Sequence, residues 1–150
     1  MLKYINQIIN NSIFWTASFS WAIAQLIKIM IEFKKERRLS LALMISSGGM
    51  PSSHSSFVSA MSTSVGLLEG FDSTAFAICA VISMVVMYDA AGVRRAAGKQ
   101  AEIINKLVAN IENTGIVLDK KLKELLGHSP VEVAAGAVLG IVVSVAAYNM

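Results

Sequence analysis

Four blocks of mostly apolar residues constrain this 150-residue chain more than any other feature of its sequence. A helix needs roughly 20 predominantly apolar residues to cross a bilayer, and blocks of about that length occupy residues 13–33, 73–93 and 130–148. A further block, residues 53–68, is shorter and rich in serine, so hydropathy alone would make it a buried or interfacial helix. With 55% hydrophobic and 15% charged residues, the composition is too apolar for an ordinary soluble domain. The sequence therefore predicts one all-α domain over residues 1–150, an integral membrane bundle of about four helices.

If all four blocks cross the membrane, their alternating direction brings most polar groups to one membrane face. That face collects the following side chains: Lys28, His54, Asp89, Arg94, Arg95, His128 and Glu132. Basic residues flank it in short loops, namely Lys34, Lys35, Arg37, Arg38 and Lys99. The positive-inside rule makes this face cytoplasmic, and we expect a bacterial plasma-membrane protein. A net charge of only +3 gives no indication of a nucleic-acid partner.

A polar insertion over residues 99–126 separates the third block from the fourth. Residues 102–108 have helical spacing, and residues 120–126 form a short amphipathic pattern that suits a lipid surface. The insertion is either a lid or simply a solvated connector. Small residues are frequent in the apolar blocks, and they also permit homo-oligomers.

Each of the two histidines of the chain lies where an apolar block begins, His54 at the start of residues 53–68 and His128 just before residues 130–148. His54 occurs in the sequence GGMPSSHS, and His128 occurs in LGHSP. Both patterns predict a turn that leads into a helix start, where free N–H groups and the helix dipole favour an anion. Two imidazoles beside two such sites could transfer a phosphoryl group, one as nucleophile and one as acid. Alternatively, both histidines merely cap their helices.

The residues after His128 have the form of a capping box, with Ser129 as N-cap, Pro130 first and Glu132 third. Glu132 then has a purely structural explanation. It also follows His128 by four residues, so its carboxylate could orient the imidazole, as a carboxylate does in a catalytic triad. One carboxylate can serve both purposes.

Other polar residues inside the apolar blocks are also candidates. Lys28 lies near the end of the first block, where it either snorkels to the headgroups or, with Gln25 on the same helix face, faces an inward polar site. Arg94 and Arg95 could grip phosphate oxygens, with Asp89 as a brace for one of them. The spacing of histidines and carboxylates does not predict a metal site, and no cofactor is expected.

These residues resemble the motifs of the type 2 phosphatidic acid phosphatase superfamily, which includes the vanadium-dependent haloperoxidases, and most closely its divergent small bacterial and plant branch. Residues 51–54, Pro-Ser-Ser-His, are similar to the family's Pro-Ser-Gly-His motif. His128 followed by Glu132 is similar to a histidine that precedes an aspartate by four residues. The resemblance implies His128 as nucleophile, Glu132 as its orienting carboxylate and His54 as general acid.

The resemblance also implies a phosphate-binding lysine, for which Lys28 is the candidate, and Ser52 and Ser53 would lie at the phosphate. Two features depart from the family pattern: no proline follows Arg37 and Arg38, and Leu122 stands where the family has an arginine. Arg94 or Arg95 would then supply that guanidinium, and Arg94 is favoured by the small residues that precede it.

Together, these features predict a metal-independent phosphatase that acts on a membrane lipid phosphate or pyrophosphate through a phosphohistidine. The alternative is a catalytically silent membrane protein that binds phospholipid headgroups or anchors a partner. A haloperoxidase is disfavoured, because a secreted enzyme that uses an oxidant would not be built from membrane helices.

Overall fold

A computed structural model of the chain describes residues 1–36, 49–112 and 127–150. Within these ranges the structure is helical and contains no strand. The helices are α1 (Leu2–Ile9), α2 (Ser12–Glu36), α3 (Ser53–Glu69), α4 (Thr74–Ala91), α5 (Val93–Glu112) and α6 (Pro130–Tyr148). The predicted all-α membrane bundle is confirmed.

Three stretches of the described chain are long and apolar enough to cross a membrane, namely Ser12–Lys34, Thr74–Val108 and Pro130–Tyr148. The second of these runs through α4 into α5, which are separated only by Gly92. The first half of the predicted polar insertion is therefore helical, as its spacing indicated. Its amphipathic second half, residues 120–126, lies outside the described residues.

The serine-rich block forms α3, which lies at the centre of the bundle and packs against α2, α4 and α6. Its buried residues occur on several sides of the helix, as expected for a helix enclosed by others: Ser53, Ser55, Ser56, Val58, Ser59, Ala60, Ser62, Ser64, Val65 and Gly66. Thus the segment with the weakest hydropathy is a helix enclosed by its more apolar neighbours.

The closest helix contact joins α3 to α6. Gly136, Gly140 and Ser144 follow one another at intervals of four residues and are all buried, so they form one stripe along α6. A Cβ atom at Gly140 would lie 2.8 Å from the backbone nitrogen of Ala60. The backbones of the two helices can approach this closely only because Gly140 has no side chain.

Serine hydroxyls connect α3 to each of its three neighbours. The hydroxyl oxygens of Ser20 (α2) and Ser56 are 2.6 Å apart, and those of Ser62 and Ser83 (α4) are 2.7 Å apart. Ser144 of α6 donates to the carbonyl of Ala60 at 2.8 Å. Since a buried hydroxyl without a partner costs free energy in an apolar medium, these pairs constrain how α3 is rotated in the bundle.

Gly140→Ala should destabilise the protein by about 1–3 kcal/mol, the usual cost of overpacking, although alanine is the better helix former. The measurement is the midpoint of thermal unfolding in detergent. Ala146→Val is the matched control, because residue 146 is exposed on the same helix and added methyl groups there should change the midpoint little. Equal midpoints for Gly140→Ala and the native chain would contradict this account of the contact.

Candidate functional site at the starts of α3 and α6

The first turn of α6 contains the predicted capping box. Ser129 Oγ accepts a hydrogen bond from the backbone N–H of Glu132 at 3.3 Å, and Glu132 Oε2 accepts one from the N–H of Ser129 at 2.9 Å. The same carboxylate oxygen lies 3.3 Å from Nδ1 of His128. Glu132 therefore connects the helix cap to the imidazole, and its capping role does not exclude the second role.

His128 is held in place by its backbone as well as by its ring. The side chain is only 1% exposed, and its backbone N–H donates to the carbonyl of Ala90 at 3.1 Å. Because Ala90 is near the end of α4, this bond joins the end of α4 to the residues that precede α6. The imidazole is thus buried where two helix ends meet.

The start of α3 adjoins the start of α6. The backbone N–H of Ser52 donates to the backbone carbonyl of Glu132 at 3.0 Å. Ser52 is also the N-cap of α3, and its hydroxyl accepts from the N–H of Ser55. Both Ser52 and Ser53 are buried. The positive ends of two helix dipoles therefore lie at one end of the bundle, a combination that favours an anion.

Lys28 points into the protein and does not snorkel. Its side chain is 3% exposed, and Gln25, three residues earlier, is also buried. Lys28 is close enough to Glu132 for a Coulombic interaction between them. The structure thus brings Lys28, His128 and Glu132 to the same end of the bundle.

Gly49 also belongs to the site, because its backbone packs against the side chain of Lys28. Nothing in the sequence indicated this contact. Gly49 has a φ of +91°, and a Cβ atom there would lie 3.2 Å from Cγ of Lys28. A residue with a side chain would be strained in this conformation and would press on the lysine. The double glycine at residues 48–49 was visible in the sequence, but its contact with Lys28 was not.

His54 has a different environment from His128. Its side chain is exposed and lines an apolar groove with Trp21, Phe57, Val58 and Val86, a set that does not include His128. Since successive helical residues are about 100° apart, the burial of both Ser53 and Ser55 directs His54 outwards. The two imidazoles thus have different surroundings, although both lie at the end of the bundle where the sequence predicted a shared face.

The arginine candidates and their brace lie where α4 passes into α5. Asp89 is half-buried near the end of α4, and Arg94 and Arg95 belong to the first turn of α5. The side chains of Arg94 and Arg95 lie outside the described part of the structure. Among the described residues, no group of three or more histidine, cysteine or acidic side chains could hold a metal ion.

Known proteins resemble this chain over the whole region of the site. The family described as "Divergent PAP2 family" matches residues 9–143. The "Uncharacterized membrane protein YuiD" of Bacillus subtilis (strain 168) is 47% identical over 132 residues, which cover 81% of this chain and 84% of the relative. No solved structure matches the chain. The matched range contains every candidate residue of the site, and the family resemblance is confirmed.

Ser129→Ala should destabilise the protein by about 1 kcal/mol, as loss of an N-cap hydroxyl usually does, and should also disturb His128. Loss of the hydroxyl leaves the backbone N–H of Glu132 without its acceptor and loosens the first turn of α6, which positions the carboxylate, so the imidazole NMR signals of His128 should shift. Ser73→Ala is the control, because Ser73 caps α4 in the same way at a helix start that carries no histidine. If both variants left the His128 signals unchanged, the hydroxyl of the cap would have no influence on the position of the imidazole.

Proposed function

The chain belongs to the Divergent PAP2 family, and we propose that it is a metal-independent membrane phosphatase acting on a lipid phosphate or lipid pyrophosphate. The observation that carries this proposal is the contact between Glu132 and the buried His128 at the start of α6, with the buried Lys28 near enough to Glu132 for a Coulombic interaction. An imidazole oriented by a carboxylate, an ammonium group and the positive ends of two helices form a set suited to phosphoryl transfer.

In the proposed reaction His128 is the nucleophile. Glu132 accepts a hydrogen bond from Nδ1–H and so favours the tautomer whose lone pair is on Nε2. Nε2 attacks phosphorus, a P–N bond forms, and the bond between phosphorus and the leaving oxygen breaks. Water then attacks the phosphohistidine and gives a proton back to the general acid of the first step, the P–N bond breaks, and the free phosphate leaves with Nε2 restored.

Lys28 stabilises the charge on the transferring group. A buried ammonium group within the membrane is costly unless an anion is near, and Glu132, which interacts with Lys28 only through its charge, already bonds to His128 and Ser129. A phosphate beside Lys28 provides further compensation. Ser52 and Ser53, at the start of α3, add hydrogen-bond donors for its oxygens.

His54 protonates the leaving oxygen in this proposal. The leaving group is the alcohol or phosphate that remains attached to the lipid chain, so its oxygen lies on the side of the site that faces the membrane. An exposed histidine in the first turn of α3, beside apolar side chains, is suited to deliver a proton on that side. Arg94 or Arg95 would complete the set of charges.

The positive charge near this end of the bundle supports a cytoplasmic site in the plasma membrane.

The alternative function is a silent protein that holds a phospholipid headgroup. The capping box is the one observation that favours this alternative, because it accounts for a glutamate at position 132 without any reaction. The two functions differ in turnover: a phosphatase releases phosphate from a panel of lipid phosphates with chelator present, and a silent protein binds them unchanged.

His128→Ala should lower phosphate release by a factor on the order of a thousand or more, because it removes the nucleophile, while the protein still folds in detergent. A substrate labelled in its phosphate should also label the native chain with an acid-labile, base-stable group, and this label should be absent from the variant. Native turnover in His128→Ala would exclude the proposed mechanism.

Gly49→Ala should impair phosphate release more than its loss of stability explains, because the new methyl group displaces Lys28. Gly70→Ala is a close control: Gly70 also has a positive φ, +96°, but its Cβ would meet only the side chain of Asp72. Both variants should have lower unfolding midpoints in detergent. Only Gly49→Ala should show a raised KM or lowered kcat at a temperature where both are folded.

A further inference from the structure

Helix α1 has one apolar side, and the described chain does not cover it. Successive residues are about 100° apart around the helix axis, which places the apolar side chains within an arc of about 160° and the polar ones opposite. The apolar side consists of Leu2, Tyr4, Ile5, Ile8 and Ile9, and the polar side of Lys3, Asn6 and Gln7, with Asn10 following. No residue of α1 is buried by the rest of the described structure, so its apolar side is left for a partner outside the bundle.

The length of α1 indicates that it needs such a partner. Isolated helices shorter than about 12–15 residues are marginal in water, and α1 has eight residues. The side chains of its apolar side are well exposed: Leu2 is 84% exposed and Ile8 is 60% exposed. Burial of these side chains against an apolar medium would stabilise the helix.

Specific hydrogen bonds hold α1 beside the start of α2. The side-chain oxygen of Asn11 accepts from the backbone N–H of Phe14 at 3.0 Å and so caps the start of α2. The indole N–H of Trp15 donates to the backbone carbonyl of Ile9 at 2.7 Å. Because this second bond joins the first turn of α2 to the last residue of α1, the short helix stays close to the point where α2 begins.

The place where α2 begins points to the lipid surface as the partner. The stretch that is long and apolar enough to cross a membrane starts at Ser12, three residues after the end of α1, so α1 lies where that span reaches the headgroups. Tyr4 and Trp15, both exposed, are of the residue types enriched at this depth. A helix with one apolar and one polar side lies in the plane of such an interface.

The small size of the apolar side argues against a second copy of the chain as the partner. Specific protein interfaces take roughly 20–30 residues from each side, and α1 offers five apolar side chains. Its charge also suits a lipid surface, because Lys3 is the one charged side chain of α1 and belongs to the polar side.

We propose that α1 is an interfacial helix that binds the bilayer surface opposite the candidate site, with its apolar side in the lipid and its polar side towards water. Lys28 lies 16 residues after Ser12 on α2, a distance of about 24 Å along the helix axis. Since the hydrocarbon core is about 30 Å thick, a fixed start of α2 holds Lys28 inside the core near its opposite boundary. In this way α1 sets the depth of the site, whether or not the site is catalytic.

Spin labels can locate α1 in the intact protein. Cys79 is the one cysteine of the chain, so in a Cys79→Ala background a single new cysteine can carry a nitroxide. Ile5→Cys and Gln7→Cys form a matched pair, because both positions are exposed and lie on opposite sides of α1. In phosphatidylcholine vesicles, the collisions of each label with oxygen, which dissolves in lipid, are compared with its collisions with a nickel chelate, which stays in water.

The label at residue 5 should lie about 5–10 Å below the headgroup boundary and collide mainly with oxygen, whereas the label at residue 7 should collide mainly with the nickel chelate. Ile8→Asn, which removes part of the apolar side, should move the label at residue 5 towards water, and Gln7→Asn on the polar side should not. A second pair of labels, at Ile8→Cys and Lys3→Cys, makes the same comparison if the label at residue 5 disturbs the helix.

Three other results would overturn the proposal. Frequent nickel collisions on both sides of α1 would place the helix in water, and frequent oxygen collisions on both sides would place it in the hydrocarbon core. Labels at residue 5 that broaden one another's spectra, and sharpen when unlabelled protein is added, would show that a second copy covers the apolar side. An unchanged depth of that label in Ile8→Asn would likewise show that the apolar side does not hold α1 at the surface.

Discussion

The close contact between α3 and α6 is the interaction on which the rest of the structure depends. Inside a bilayer, helices gain no hydrophobic free energy by associating, so small residues and hydrogen bonds must hold them together. The glycines of α6 allow the backbones to touch, and Ser144 donates across the contact to Ala60. Since the same contact sets the two helix starts side by side, the geometry that packs the bundle also assembles the candidate site.

A second constraint is the balance of charge at that end of the bundle. Lys28 is buried beside Glu132, and Glu132 also bonds to Ser129 and approaches His128. A charge buried at this depth must be compensated by its neighbours. The Glu132 carboxylate therefore offsets the positive start of α6 as well as the charge of Lys28, and the start of α3 adds a second positive helix end nearby.

The features that the sequence predicted correctly are those that depend on residues close together in the chain. The capping box at Ser129 and the apolar lengths of α2, α4 and α6 depend on residues a few positions apart, and all are present in the structure. The central place of α3 was harder to predict, because its low hydropathy is compensated by hydroxyl partners on other helices. The inward direction of Lys28 likewise depends on Gly49, which is distant in sequence. The side chains of Arg94 and Arg95 lie outside the described part of the structure. A contact between either arginine and a phosphate therefore stays a prediction.

The direction of His54 follows from the same contact and could not be predicted from its motif. Small residues surround His54 in the sequence, so several faces of α3 were available for close packing. The glycine stripe of α6 selects the face with Ser52, Ser55 and Ser56, and helical geometry then turns His54 towards the lipid. In the proposed reaction this separation is useful. The phosphate is held on the polar side by His128 and Lys28, the lipid chain stays on the apolar side, and His54 lies at the boundary, where the bond between them breaks.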